Sequence, residues 1–307
     1  MKTTAVTTAD LQGSVISVPP LARGADYALA EGPNRQLLGH LRQGGVRTAL
    51  YGGNANLYNI DARQFRQLLE ALPTWASDDM WVVPSIGPSY GQMMDQADVV
   101  REHGYPTAMI LPLAAPATPD GTATGIRRTA DRLGTPIVLY LKWEGYLTTA
   151  LVADLVRDGV VCAIKYAVVR SDPVKDDFLQ ELTALVDPEL IVSGIGERPA
   201  IAHWRTFGLR AFTSGSVCVA PRQSSQLLEL LREDRFPEAE TIRQRFMPLE
   251  DLRDGIHPIR VLHDAVTECG VADMGPLLPL LSNLPEDQKQ RVRTAAKTLL
   301  DTEDQPA

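Results

Sequence analysis

The stretch Gly159-Val-Val-Cys-Ala-Ile-Lys-Tyr-Ala-Val-Val169 decides the fold. A near-continuous apolar run of this length, rich in β-branched residues, reads as a strand of a parallel sheet covered on both faces. Its one charged residue is Lys165. Lysine is scarce in this chain, the others being Lys2, Lys142, Lys175, Lys289 and Lys297. An ammonium ion in such a strand loses its hydration, so burial draws its pKa down from about 10.4 and leaves some neutral, nucleophilic amine. Imine chemistry on a carbonyl substrate needs such an amine. The alternatives are that Lys165 snorkels at a strand end or pairs with a carboxylate.

Working outward, short β-rich runs alternate with helical patterns up to about residue 233. Strands are expected over 14–18, 48–52, 81–85, 108–111, 137–141, 161–165, 190–193 and 211–214. Helical periodicity falls between them, over 34–43, 62–72, 91–103, 122–133, 148–157, 175–186, 198–207 and 222–233. Asp61 and Asp172 precede helical runs as capping signals, and Gly134 and Gly208 follow helices as stop signals. Eight β/α repeats predict an α/β fold, a (β/α)8 TIM barrel, over residues 1–234. An open doubly wound sheet would ordinarily carry a Gly-rich turn after its first strand, where this chain has Val-Pro-Pro-Leu21. Residues 235–307 hold three helical patterns, over 237–247, 258–268 and 286–300, and read as a C-terminal helical extension packed on the barrel. It could lie on the barrel wall, cover the active-site opening or make a subunit contact. The polar tail from Asp301 is expected to fray.

Composition limits the function classes. With 38 acidic against 30 basic residues the net charge is −8, and no basic block suits nucleic acid. No apolar stretch approaches the roughly 18 residues of a membrane span. Cys162, Cys218 and Cys269 are scattered in apolar or helical surroundings and read as reduced thiols of a cytoplasmic protein. His40, His103, His203, His257 and His263 lack metal-ligand spacing and read as surface or interface residues. Neither a metal nor a cofactor is implied.

Barrels of this kind do their chemistry at the C-terminal ends of their strands. Lys165 ends strand six and Tyr140 lies near the end of strand five. Adjacent strands are about 4.8 Å apart, so an amine and a phenol could serve one small substrate, the phenol relaying protons. Strand two runs into Gly52-Gly-Asn-Ala-Asn56, a turn whose N–H groups, with Gly53 and Asn54, could cradle a carboxylate. The Gly194–Gly196 turn and Gly215 also admit an anion-binding reading. Lys142 and Glu144 share the parity of Tyr140 and either contact a polar substrate or form a surface ion pair.

These positions together resemble the dihydrodipicolinate synthase and N-acetylneuraminate lyase family of Schiff-base-forming barrels, over nearly the whole chain. The resemblance implies that Tyr140 is the catalytic tyrosine and that Lys165, in Ala163-Ile-Lys165, is the imine-forming lysine. It also implies that Gly194 and Thr213 line a pyruvate pocket and that the protein is a homo-oligomer, a tetramer or a dimer. Gly275-Pro-Leu-Leu-Pro-Leu280 is similar to a family segment near the C-terminus. Three departures stand out. The family's threonine pair after strand two is replaced by Gly53 and Asn54, strand four is followed by no tyrosine, and Gly145 stands where the synthases place a substrate-binding arginine. The expectation is therefore a lyase, aldolase or dehydratase, acting on a 2-keto acid or sugar-acid-like substrate and distinct from authentic dihydrodipicolinate synthase. The alternatives are a catalytically degenerate barrel that binds a small ligand, and a phosphosugar enzyme using the loops after strands seven and eight.

Overall fold

Short apolar runs that cannot satisfy their backbone groups alone pair in parallel until the sheet meets itself. In the computed structural model, which describes residues 1–306, β1 (Ile16–Ser17), β2 (Thr48–Tyr51), β3 (Trp81–Ile86), β4 (Met109–Ile110), β5 (Ile137–Leu141), β6 (Val161–Tyr166), β7 (Ile191–Ser193) and β8 (Ala211–Ser214) form a closed barrel in chain order. Ile16 closes it, paired with Thr48 on one side and Thr213 on the other. A short helix, α1 (Thr8–Gln12), precedes β1. Each strand is then followed by one outer helix: α2 (Glu31–Gln43), α3 (Ala62–Trp75), α4 (Tyr90–Glu102), α5 (Pro119–Leu133), α6 (Thr149–Arg157), α7 (Asp177–Leu185), α8 (Ala200–Phe207) and α9 (Pro221–Arg232). This is the TIM barrel that the eight repeats predict. Three further helices, α10 (Phe236–Gly255), α11 (Pro258–Glu268) and α12 (Glu286–Leu300), pack on it and on one another.

Strand parity sets what the barrel holds. Leu50, Trp81, Val83, Val138 and Ala163 point inward and fill the interior, with Leu11 of α1 closing the end where the strands begin. Lys165, two residues after Ala163 on β6, therefore also points inward, at the top of this apolar stack beside Thr213. The opposite parity packs beneath the helices. Tyr166 points outward, donates its hydroxyl to Asp176 at 2.6 Å and stacks on Phe178.

Local signals hold with one correction. Asp61 accepts the Gln64 N–H and caps α3, while Gly134 and Gly208 end α5 and α8 in the left-handed conformation. Asp172, expected to cap a helix, instead accepts from Val174 within a turn; Asp176, four residues on, caps α7 through the Leu179 N–H. Two of the histidines read as surface or interface residues are core residues. His203 meets Ser193 at 2.8 Å and His263 meets the Gly275 carbonyl at 2.9 Å.

The tail also departs from expectation as far as Pro306. The Glu303 carboxylate accepts the N–H groups of Arg222 and Gln223 at the start of α9, and Gln223 donates to the carbonyls of Thr302 and Gln305. The open N–H groups of a helix start attract a carboxylate, and that attraction holds the tail. No helix among the described residues is long and apolar enough to cross a membrane.

Phe246 of α10 is fully buried, so the extension is part of the core rather than an appendage. Phe246→Ala is expected to cost about 3–5 kcal/mol and to lower Tm by on the order of 10 °C. Thermal unfolding checks this, and an unchanged Tm would show that the extension contributes no packing to the barrel.

Candidate active site

At the C-terminal ends of the strands lies a cavity of about 410 Å³. Tyr140, Lys142, Lys165, Gly194 and Thr213 line it from the strands and their exits, with Gly53, Asn54 and Tyr58 from the loop after β2. Arg253, Asp254, His257 and Leu262 enter from α10, α11 and their link. The extension thus covers the mouth, one of the three positions left open by its sequence.

Lys165 and Tyr140 are register partners on β6 and β5, and the Lys165 Nζ lies 4.6 Å from the centroid of the Tyr140 ring. Lys165 is only 6 % exposed, too little for a snorkelling residue. Burial lowers its pKa to about 7, and the Lys142 ammonium and Arg253 guanidinium add to the effect. No carboxylate among the described residues offsets them, which leaves the ion-pair alternative without a partner there. At neutral pH a large share of the amine is therefore unprotonated. Burial drives the Tyr140 phenol the other way, up to about 12, with Arg253 opposing the rise. The phenol stays protonated and can donate.

The loop after β2 is built for backbone donation. The carbonyls of Gly52 and Gly53 accept from Leu57 and Asn56, whereas the N–H groups of Gly53 and Asn54 bond no backbone carbonyl among the described residues. Asn54 donates its side-chain amide to the Val18 carbonyl at 2.9 Å, tying the loop to the exit of β1. Gly52 lies behind the cavity wall, where a Cβ would meet Met109 and the Ser85 hydroxyl at 2.9 Å each. Its part is to let the loop pass.

A buried polar system fixes the loops after β7 and β8. The Glu197 carboxylate accepts from Ser214 at 2.9 Å and Ser224 at 2.6 Å, and Glu250 accepts from Ser216 at 2.6 Å. Arg253 bridges to Glu250 at 2.6 Å and donates to the Ile195 carbonyl at 2.9 Å. Burial and the nearby Glu250 raise the Glu197 pKa to about 7. Gly196 passes through this cluster at φ +81°, where a Cβ would lie 2.7 Å from both the Arg253 guanidinium and the Glu250 carboxylate. Gly194 N–H is already given to the Tyr166 carbonyl and Gly196 N–H to the Thr213 carbonyl. With those donors committed and two carboxylates close by, the turn suits no phosphate.

Glu144 stands outside the cavity, in an ion pair with Arg170, which also holds Asp176 at 2.8 Å. Sequence reading passed over Tyr58 and Arg253 and took His257, which lines the cavity, for a surface or interface residue. Tyr58 sits on the loop already singled out, and its hydroxyl pKa is pushed up by burial and by the neighbouring Tyr140 and Tyr146 phenols. A Tyr five residues after Gly53 was its available signal. Arg253 and His257 reach the site only by tertiary packing, and local patterning carries no trace of that.

No family model and no curated protein matches the sequence. Solved structures do match the fold. Dihydrodipicolinate synthase from Oceanobacillus iheyensis is 20% identical with a TM-score of 0.82, over 94% of this chain and 97% of that one. A catalytic lysine mutant of Ruminococcus gnavus sialic acid aldolase is 15% identical with a TM-score of 0.84, over 98% and 99% of the two chains. PhdJ bound to a substrate intermediate is 16% identical with a TM-score of 0.85, over 99% of this chain and 100% of that one. At such identities the likeness establishes a shared fold, C-terminal extension included.

A Lys165 pKa lowered in the folded state makes a stability prediction. The folded protein holds fewer protons than the unfolded chain between about 7 and the ordinary 10.5, so the group penalises folding fully below pH 7 and not at all above 10.5. Lys165→Met is expected to raise Tm at pH 7 by on the order of 5–10 °C, the gain fading as pH approaches 10.5. A lower Tm at pH 7 would mean that the ammonium is structurally paired.

Proposed function

We propose that this chain is a divergent member of the dihydrodipicolinate synthase and N-acetylneuraminate lyase family, and that it works as a class I lyase on a 2-keto acid or sugar-acid-like substrate. The observation that carries this reading is a buried, carboxylate-free Lys165 at the top of the barrel interior, in register with a protonated Tyr140.

The neutral amine attacks the keto carbon, giving a carbinolamine whose oxygen leaves as water once protonated, so that an imine joins substrate and Lys165. The protonated imine accepts the electron pair of a bond at the neighbouring carbons. Aldol cleavage breaks the carbon–carbon bond as the adjoining hydroxyl gives up its proton, releasing an aldehyde and leaving the shorter keto acid as an enamine. Dehydration instead removes a proton from the carbon next to the imine, and the resulting enamine of the intact substrate expels its hydroxyl as water. In both cases water then hydrolyses the imine and frees Lys165. Tyr140 moves the protons at the carbinolamine and at the leaving oxygen. The unspent N–H groups of Gly53 and Asn54 hold the keto acid's carboxylate, and Gly194 and Thr213 bound the pocket beside the imine. Tyr58, a phenol beside Tyr140, stands in for the hydroxyls that the family's threonines provide. With Gly145 in place of the synthase arginine, authentic dihydrodipicolinate synthase activity is not expected.

Borohydride reduction in the presence of pyruvate, read by intact mass, tests the imine. One reduced pyruvyl adduct on the wild type and none on Lys165→Ala is expected. Tyr140→Phe should keep the adduct but form it about 10²-fold more slowly or worse. A folded wild-type sample that gains no mass with pyruvate or any other 2-keto acid would sink the reading and favour a ligand-binding barrel.

A further inference from the structure

Apart from Lys165 and Tyr140, the cavity presents four ionisable groups in Lys142, Arg253, Asp254 and His257, besides the Tyr58 phenol. Two of them are spent. Arg253 is occupied by Glu250, the Ile195 carbonyl and Asp254, and Asp254 also takes Arg198 at 3.1 Å. Lys142 is different. Among the described residues no carboxylate lies within ion-pair distance of it, and the acid nearest in sequence, Glu144, is drawn outward by Arg170. Lys142 is exposed at the mouth of the cavity, and the part of its side chain that the protein covers draws its pKa below the ordinary lysine value. His257 stands close enough for Lys142 to depress its own pKa, after burial and Arg260, and its Nδ1 is buried with no hydrogen-bond partner.

A chain of net charge −8 that keeps an unpaired ammonium at the mouth of this cavity, besides Lys165 within it, has a place for an anion. A carboxylate bound there would pair with the Lys142 ammonium, and the buried His257 ring nitrogen that lacks a partner adds a cost that such a ligand could relieve. The position follows from the strand. Lys142 lies two residues beyond Tyr140, just past the end of β5, and lines the same cavity nearer its mouth. We propose that Lys142 and His257 form a second anion subsite, which takes a carboxylate at the far end of the substrate, so that the substrate is a dicarboxylic 2-keto acid. This rests on the reading above in placing the first carboxylate at Gly53 and Asn54.

The probes are glutarate and valerate, which share a five-carbon chain and carry two carboxylates and one. Neither has a ketone, so binding is read without imine formation. Calorimetry at pH 7 is expected to find glutarate bound about tenfold more tightly than valerate by the wild type, with the preference lost in Lys142→Met and Lys142→Gln and valerate affinity unchanged. Equal affinities in the wild type, no detectable glutarate binding, or a preference that survives both substitutions would overturn the subsite. A glutarate preference that Lys142 governs, alongside a failed borohydride trap, would remove the lyase reading and leave the subsite standing.

Discussion

Everything at this site depends on the solvent around one amine. Lys165 sits on a column of mostly apolar inward side chains, and the neighbouring charges, Lys142 and Arg253, are of its own sign. A lysine in that setting destabilises the fold, and the barrel tolerates it because closed parallel pairing fixes β6 from both sides. The tyrosine beside it experiences the same desolvation with the opposite result, because its charged form is the deprotonated one. A single physical cause therefore yields a free amine and a protonated phenol on neighbouring strands, the acid–base pair that imine formation requires.

The C-terminal extension is coupled to this centre through buried charge. Glu250 and Arg253 are three residues apart on α10, one accepting from Ser216 after β8 and the other donating to Ile195 after β7. Two carboxylates, Glu197 and Glu250, share the space with one guanidinium, so the raised Glu197 pKa reflects both burial and the excess of negative charge. Such a network tolerates no vacancy, since each partner removed strands another in a dry interior. Its geometry explains why the turn between β7 and α8 is glycine at both ends, with Gly194 against the Tyr166 carbonyl and Gly196 against the Arg253 and Glu250 side chains.

Much of this was legible in the sequence, for identifiable reasons. Short continuous apolar runs and period-3.6 patterning located eight strands and eight helices, because the strands are buried on both faces and the helices on one. Strand parity then put Tyr140, Lys142 and Lys165 on one side of the sheet, and the cavity lining agrees for all three. Parity failed for Glu144, because β5 ends at Leu141 and alternation lapses beyond the last ladder bond. The cap was expected at Asp172 but falls at Asp176, because the helix begins later than its pattern suggests and the Tyr166 hydroxyl with Arg170 holds the Asp176 carboxylate at its start. Arg253 and His257 arrive from a segment some ninety residues after Lys165, and their approach is a property of packing that no local pattern encodes.

The claim that burial leaves Lys165 partly neutral can be measured directly. With six lysines in the chain, ε-13C-labelled lysine gives few enough signals for Lys165→Arg to assign its resonance by disappearance. Followed by NMR from pH 5 to pH 11, that resonance is predicted to titrate with a midpoint near 7, as burial in the barrel dictates. A midpoint near the ordinary value of about 10.4 would contradict the account, since an amine that stays protonated at neutral pH could not serve as its nucleophile.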